Sequence, residues 1–374
     1  MTAATGTPSM RPESAERDGP LRQGLTTGSC ATAAAVAAAR RLLTGDAARS
    51  VAIRLPRGQH RKLAVEDLQA AAGTATAGVI KDAGDDPDAT HGARIWVEVA
   101  LRDQPGVDFR AGTGVGTVTR SGLMLAVGEP AINPVPRRMI AEHLDALAAD
   151  CAYAGGFRVT VGVDDGERIA RRTMNARLGI VGGLSILGTT GIVRPFSCAA
   201  FVASIHQAVD VARANGTAHV AGCTGGTSEQ LMRELHGLED SALIEMGDLF
   251  GALLKYLRHH PLPRLTLAAG FGKLSKFAAG QLDTHSRKCA IDFDFLTREA
   301  AALGAPPALQ SELRASNTSL ELLQRCQQAG LALGQRLAEL GLAQARRHLP
   351  ADMRVAVCAC DRNGHLVGHA EHLP

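Results

Sequence analysis

Ala218-His219-Val220-Ala221-Gly222-Cys223-Thr224-Gly225-Gly226-Thr227-Ser228 passes from a short apolar strand, through a glycine-rich turn, into helix-forming sequence. The same grammar returns twice. Leu243–Met246 reads as a strand leading into a helix at Leu249–His259, and Leu265–Ala269 leads into Gly270-Phe271-Gly272-Lys273 and a further helix. Strand, tight turn and helix repeated three times predict a parallel α/β layer. Upstream, Ser197–Asn215 carries helical apolar spacing (Phe201, Ile205, Val209) and stops at Gly216. Downstream come helices across 294–347, then a strand pair, Val355–Cys360 and His365–Gly368, around Asn363-Gly364, able to join either sheet.

The first half follows another pattern. Residues 1–20 are polar and proline-punctuated, and read as a disordered tail. Thr26-Thr27-Gly28-Ser29-Cys30 then opens an alanine-rich helix over Ala31–Leu43, with Thr27 or Ser29 as its N-cap. Short strand-like runs follow at Val51–Leu55, Lys62–Val65, Gly78–Lys81, Ile95–Leu101 and Val107–Arg110, with few helices between them. That favours an antiparallel or mixed sheet. A helix over Arg137–Ala149 and a strand near Arg158–Val163 complete it. The expectation is α+β over 21–195 and a Rossmann-like α/β domain with a helical C-terminal part over 196–374.

Composition narrows the function classes. At 374 residues the chain is long for one core, given about 100–200 residues per domain. Aromatics are only 3%, which leaves no stacking platform for single-stranded nucleic acid. A net charge of +3 advertises no polyanionic polymer as partner. No run approaches the roughly 18 apolar residues of a membrane span, and no secretory segment opens the sequence. The expected setting is therefore the cytoplasm, with reduced thiols. Of eight cysteines only Cys358 and Cys360 lie close together, and they read as buried strand residues rather than metal ligands.

Five features carry chemistry. The Gly222–Gly226 turn offers glycines and a helix N-terminus to a phosphate or nucleoside, and Glu245, about twenty residues on, suits ribose hydroxyls. The pattern is not GxGxxG, so a purely structural turn stands beside that reading. Gly270–Lys273 lacks the Walker spacing. Thr26-Thr27-Gly28 and the second Thr-Thr-Gly at Thr189–Gly191 suit carboxylates, or are ordinary caps. Asp82–Gly92 crowds Asp82, Asp85, Asp86, Asp88 and His91 into one loop, which reads as a hydrated surface or as general acid/base equipment. Finally, Arg137, Arg138, Arg171, Arg172, Arg177 and Arg194 sit beside turns, where a polycarboxylate would need several forks.

These residues bear a resemblance. Leu25–Ala31, Gly84–Gly92, Gly128-Glu129-Pro130-Ala131-Ile132-Asn133-Pro134-Val135-Pro136-Arg137, the long run Asn175–Val193, and Gly272-Lys273-Leu274 with Lys276, Ala278–Gly280 and His285-Ser286 resemble the cobalt-precorrin-5B C1-methyltransferase family of anaerobic-type cobalamin biosynthesis. The likeness spans about residues 21–290. It implies an α+β domain followed by a Rossmann-like one, and transfer of a methyl group from S-adenosylmethionine to C1 of a cobalt-bound tetrapyrrole. Cobalt arrives in the substrate, so no protein metal site is expected. On that footing Gly222, Thr224, Gly225, Gly226, Glu245 and Gly270 would hold the methyl donor. Arg137, Arg138, Arg177 and Arg194, with Thr26, Thr27 and Gly28, would grip the substrate carboxylates. His91, Asp85 and His285 are the candidates for proton handling. A nicotinamide-dependent tetrapyrrole reductase and a non-catalytic cobalt-tetrapyrrole carrier are the rival readings. The apolar helix face within 308–345 reads as core or as a contact between copies of the chain.

Overall fold

The computed structural model describes residues 20–373, so the tail expected over 1–20 lies, but for Pro20, outside the described residues. The chain divides into two compact units, Met1–Ser197 and Cys198–Pro374.

The first unit is built around an alanine-rich helix. Thr27–Thr44 is buried on every side from Thr27 to Ala39. Alanine makes this possible: it has the best helix propensity and the smallest side chain that still covers the backbone, so neighbours approach closely. The cap is Thr26 rather than Thr27 or Ser29. Its extended backbone lets its hydroxyl accept the Ser29 N–H, and Gly45 closes the other end in the left-handed region at φ 76°. Against this helix lie the helix Pro134–Asp150 and a five-stranded sheet. The sheet order is Asp67–Ala71, Thr74–Ile80, Arg94–Arg102, Gly156–Val163, Val107–Ala111, antiparallel except for the last pair. Inward-facing Ile95, Val97 and Val99 alternate with half-buried residues, as a one-sided sheet requires. A separate ribbon pairs Ser50–Arg54 with His60–Ala64. Short pairings tie late segments to early ones: Gly24–Leu25 with Ile192–Val193, Gly114–Val115 with Gly183–Leu184, and Thr117–Val118 with Ile180–Val181.

The second unit holds a five-stranded sheet ordered Leu243–Glu245, His219–Cys223, Arg264–Gly270, Arg354–Cys360, Leu366–His372. The first four strands are parallel and the last is antiparallel. The closing hairpin thus joins this sheet. Helix Gly226–His236 covers the face carrying Ala221, Cys223 and Cys358. On the other face, a Cβ on Gly222 would stand 2.4 Å from Leu253 of helix Phe250–His259, and one on Gly341 of helix Leu333–Arg346 would stand 3.4 Å from Val357. Numbered along the chain, the strands lie in the order 2-1-3-4-5, so the winding reverses between His219–Cys223 and Arg264–Gly270. In such sheets ligands bind beyond the carboxyl ends of the strands at that reversal.

Candidate functional site

The reversal places Thr224 and Gly270 side by side. Thr224 donates its N–H to Ala268 O at 3.2 Å, and Gly270 donates to Thr224 Oγ1 at 3.4 Å. The Ser228 hydroxyl organises the turn: it accepts the N–H groups of Thr224 and Gly225 at 3.0 and 3.1 Å and donates to Gly225 O at 2.7 Å. Lys273, one turn into helix Phe271–Ala278, donates to Thr224 O and pairs with Asp248 Oδ1, both at 3.2 Å. Thr284 bonds the Asp248 carbonyl and carboxylate, and buried Lys276 holds Thr284 O at 3.1 Å. Two turns and the segment that carries His285 are therefore tied into one assembly.

The glycines of this crevice differ in their reason. Gly222 is a packing glycine, with Leu253, Leu267 and Met246 all close to where a Cβ would sit, so it makes room for the helix behind it rather than for a ligand. Gly226 and Gly270 are forced by nothing in the protein. A Cβ on either would meet no atom within 4 Å, and Gly270 has ordinary extended dihedrals of φ −62° and ψ 145°. Gly225 likewise faces open space. Backbone left bare without a steric demand suits close approach by a ligand. Glu245 ends the neighbouring strand, in register with Cys223. It is half-buried, and its carboxylate has no hydrogen bond or ion pair among the described residues. The Asp248 carboxylate offsets the Lys273 charge, so the crevice presents no unbalanced cation to a positively charged ligand.

In the first unit the two Thr-Thr-Gly triplets meet each other. Gly28 donates to Leu187 O at 3.0 Å and Thr26 to Gly191 O at 3.1 Å. The Thr27 hydroxyl accepts from Leu187 N at 2.9 Å and donates to Leu187 O at 3.2 Å. Ser29 Oγ donates to Gly191 O at 2.7 Å. A Cβ on Gly188 would fall 2.3 Å from Thr26 Oγ1. Thr26, Thr27 and Gly28 are buried, and the structure gives their polar groups these internal partners in place of the expected substrate carboxylates.

The acidic loop is also internally matched. The Arg22 guanidinium grips Asp82, with Nη2 at 2.9 Å from Oδ1, and that bond together with the Gly84 N–H brings the Asp82 pKa down to about 2. Asp85 accepts the Arg22 N–H at 2.7 Å and Asp86 the Phe196 N–H at 2.9 Å. Asp88 accepts from Thr90 and from Lys81 Nζ at 2.7 Å, and the Lys81 side chain is 1% exposed. Burial pushes the Asp88 pKa up, but attraction to Lys81 outweighs it and the net direction is down. Crowded carboxylates are tolerable here because each has its own donor. His91 accepts the Ala83 N–H through Nδ1 at 3.1 Å, and His285 accepts the Arg287 N–H through Nδ1 at 3.1 Å. Each neutral ring therefore carries its proton on Nε2. Asp85 and His91 share the loop of the first unit; His285 belongs to the second.

The arginines divide similarly. Arg137 is a brace, donating to Ile132 O at 2.7 Å and Pro130 O at 3.1 Å, pairing with Glu129 at 3.2 Å and lying over the Phe109 ring. It takes up backbone carbonyls where ligand carboxylates were expected. Arg138 is exposed beside Glu142 at 3.9 Å, Arg194 is exposed, and Arg177 is half-buried. Burial pushes the Cys30 and Cys358 thiols up to about 12 and Cys360 to about 11, which keeps them protonated and poor nucleophiles. Sequence reading missed Ser228, Asp248 and Thr284, whose roles rest on contacts between distant segments. In the sequence Lys273 stands out as a lysine without the Walker spacing and as part of the Gly272-Lys273-Leu274 run of the family resemblance.

Comparison with known proteins gives one family for both halves. The model of the CbiD family matches residues 14–195, and that of the CbiD C-terminal domain matches residues 283–371. The cobalt-precorrin-5B C(1)-methyltransferase of Pseudomonas putida (strain W619) is 58% identical over 361 residues, 96% of this chain and 99% of that protein. The protein of the same name from Burkholderia ambifaria (strain MC40-6) is 59% identical, over 96% of this chain and all of its own length. A crystal structure of a cobalamin biosynthesis protein (cbiD) from Archaeoglobus fulgidus is similar at 30% identity, covering 72% of this chain and 84% of that one, with a TM-score of 0.39. The arginine brace, the paired Thr-Thr-Gly turns and the matched acidic loop all fall in the segments where this similarity runs, and the chain belongs to the CbiD family.

Proposed function

We propose that the protein methylates C1 of cobalt-precorrin-5B, giving cobalt-precorrin-6A, with S-adenosylmethionine as the methyl donor. The observation that carries this is the near-full-length identity to relatives named for that activity. The donor brings an electrophilic methyl group and its own leaving group, so the protein's task is alignment of sulfur, methyl and C1. No covalent nucleophile is needed.

In this reading the second unit is a Rossmann-like donor-binding domain, which its parallel strands and the reversal in their order support. Its bare backbone at Gly225, Gly226 and Gly270 would lie against the adenosyl group, with Thr224 lining the turn. Glu245, having a free carboxylate at its strand's end, would accept the ribose hydroxyls. Ser228, Lys273 and Asp248 would fix the shape of that crevice. Arg138, Arg177 and Arg194 are the proposed partners of the substrate carboxylates. Arg137, Thr26, Thr27 and Gly28 would act one step back, by holding the fold that presents them. His91, His285 and Asp85 stay as the proton-handling candidates, the two histidines through their Nε2 atoms. Cobalt belongs to the substrate. No described helix is long and apolar enough to cross a membrane, and we place the reaction in the cytoplasm.

Calorimetric titration with S-adenosylhomocysteine, with NADH alongside, tests the donor assignment. Binding of S-adenosylhomocysteine and not NADH is expected, with the tetrapyrrole present if the site forms only after it docks. Binding of NADH alone would establish a reductase instead.

A further inference from the structure

Met124, Val181 and Val127 are 70%, 58% and 57% exposed. Large apolar side chains so open to water usually scatter singly on a surface. Here the chain gathers them. Thr117 is paired with Val181 on one side and bridged to Pro130 on the other. One step along, Val118 accepts the Gly128 N–H at 2.8 Å and gives its own N–H to Glu129 O at 3.0 Å. Two residues opposing one is a bulge, and Val127 precedes it in the turn that Glu129 N–H closes on Ala126 O at 3.1 Å. Because side chains alternate along a strand, Val118 and Ile180 turn inward, where they are buried, while Thr117, Thr119 and Val181 are exposed on the other face and Val127 is exposed at the adjoining turn. Buried Leu125 pins the loop from which Met124 projects.

The rim of this patch is basic. The stem of Arg120 lies across Gly179, where a Cβ would be 2.5 Å from Arg120 Cγ, and Gly179 adopts φ +73°, a conformation open to glycine. No carboxylate among the described residues pairs with Arg120. The nearest acid in sequence, Glu129, is turned away, taken by Arg137 and by the Ala126 N–H at 3.1 Å. An exposed apolar cluster with an arginine beside it, and no carboxylate paired to that arginine, complements an apolar, carboxylate-fringed molecule.

We propose that Met124, Val127 and Val181 form the platform on which one face of the tetrapyrrole substrate rests, with Arg120 pairing with a peripheral carboxylate. This rests on the methyltransferase reading, and deepens it by naming specificity-determining residues that the sequence did not single out.

The test compares methyl transfer to cobalt-precorrin-5B by the full chain and by Val181→Asp, Val127→Asp and Arg120→Gln. A carboxylate set against the platform would meet the substrate's own carboxylates, and like charges in contact repel. The aspartate variants are expected to raise KM at least about tenfold and Arg120→Gln several-fold, with S-adenosylhomocysteine affinity unchanged. An active Val181→Asp protein with wild-type KM would overturn the platform. So would a Val181→Asp protein that loses self-association while KM holds, because the patch would then be a contact between copies. Should Val181→Asp not fold, the near-isosteric Val181→Thr decides: a KM about two- to fivefold higher supports the proposal and an unchanged KM overturns it. Absence of methyl transfer by the unaltered chain would instead overturn the reading on which the proposal rests.

Discussion

Replacing Gly270 by valine separates a ligand-facing glycine from a structural one. At Gly270 the backbone already sits at φ −62° and ψ 145°, a region valine favours, and a Cβ would meet no protein atom within 4 Å. Removing glycine from the unfolded chain gains about 0.4–1 kcal/mol. Losing glycine from the N-cap position of helix Phe271–Ala278 costs roughly as much. The two effects nearly cancel, so Gly270→Val should melt within a few degrees of wild type. Its side chain would nevertheless fill the space above the Thr224–Gly270 pair, and S-adenosylhomocysteine affinity should fall by about 100-fold, or roughly 2.7 kcal/mol. Gly222→Val is the control. There a Cβ would stand 2.4 Å from Leu253 Cδ2 and 3.2 Å from both Leu267 Cδ2 and Met246 Sδ, an overpacking worth about 1–3 kcal/mol of stability. Differential scanning calorimetry and isothermal titration read the two quantities independently. A Gly270→Val protein that binds S-adenosylhomocysteine as wild type does would refute the placement of the donor. One that melts far below wild type would refute the argument that this glycine is sterically unforced.

Other substitutions probe the scaffold. Thr27→Val takes the Thr27 hydroxyl away from the part-buried Leu187 N–H and carbonyl, and should cost about 0.5–1.5 kcal/mol, seen as a lower urea midpoint and faster amide exchange at Leu187. Arg22→Met frees Asp82, whose pKa near 2 in the folded chain lies below its ordinary 3.8. A depressed carboxylate stabilises above its unfolded pKa and loses that contribution as pH falls through the folded one. Wild type should therefore be slightly more stable than Arg22→Met at pH 7, the pair being largely exposed, and the gap should close between about pH 4 and pH 2. A gap that persists at pH 2 would deny the ion pair its role. His219 bonds Thr266 Oγ1 at 2.8 Å, and burial, with Arg264 nearby, lowers its pKa to about 4. Its ring resonances should stay constant from pH 8 to about pH 5 and move only below that; titration near 6.5 would contradict the packing described.

What the sequence exposed and what it hid follow from range. The strands and helices from His219 to Gly270 were legible because a local apolar rhythm and glycine punctuation set each of them. The alanine-rich helix was legible in its body, but its cap fell one or more residues earlier, at Thr26, because the turn is fixed by Gly188 and Gly191 over 160 residues away. Asp67–Ala71 was missed altogether. Its residues are mostly exposed, and among the described residues its strand partner is Thr74–Ile80 alone, so no apolar alternation marks it. The candidate site shows the same division. Glycines at a strand end announce a turn, but only the packing around Gly222 and the emptiness around Gly270 assign them opposite duties. Arg137 and the acidic loop looked like chemistry because charge draws attention. Their partners, the carbonyls of Pro130 and Ile132 and the donors of Arg22, Lys81 and Phe196, become visible only when the chain is folded.

The most direct measurement is anaerobic incubation of the protein with cobalt-precorrin-5B and S-adenosylmethionine labelled with 13C in its methyl group, followed by NMR of the isolated tetrapyrrole. One labelled methyl on C1, with S-adenosylhomocysteine formed in equal amount, is the result expected. Recovery of unlabelled tetrapyrrole bound to folded, donor-saturated protein would contradict the account and leave a carrier in its place.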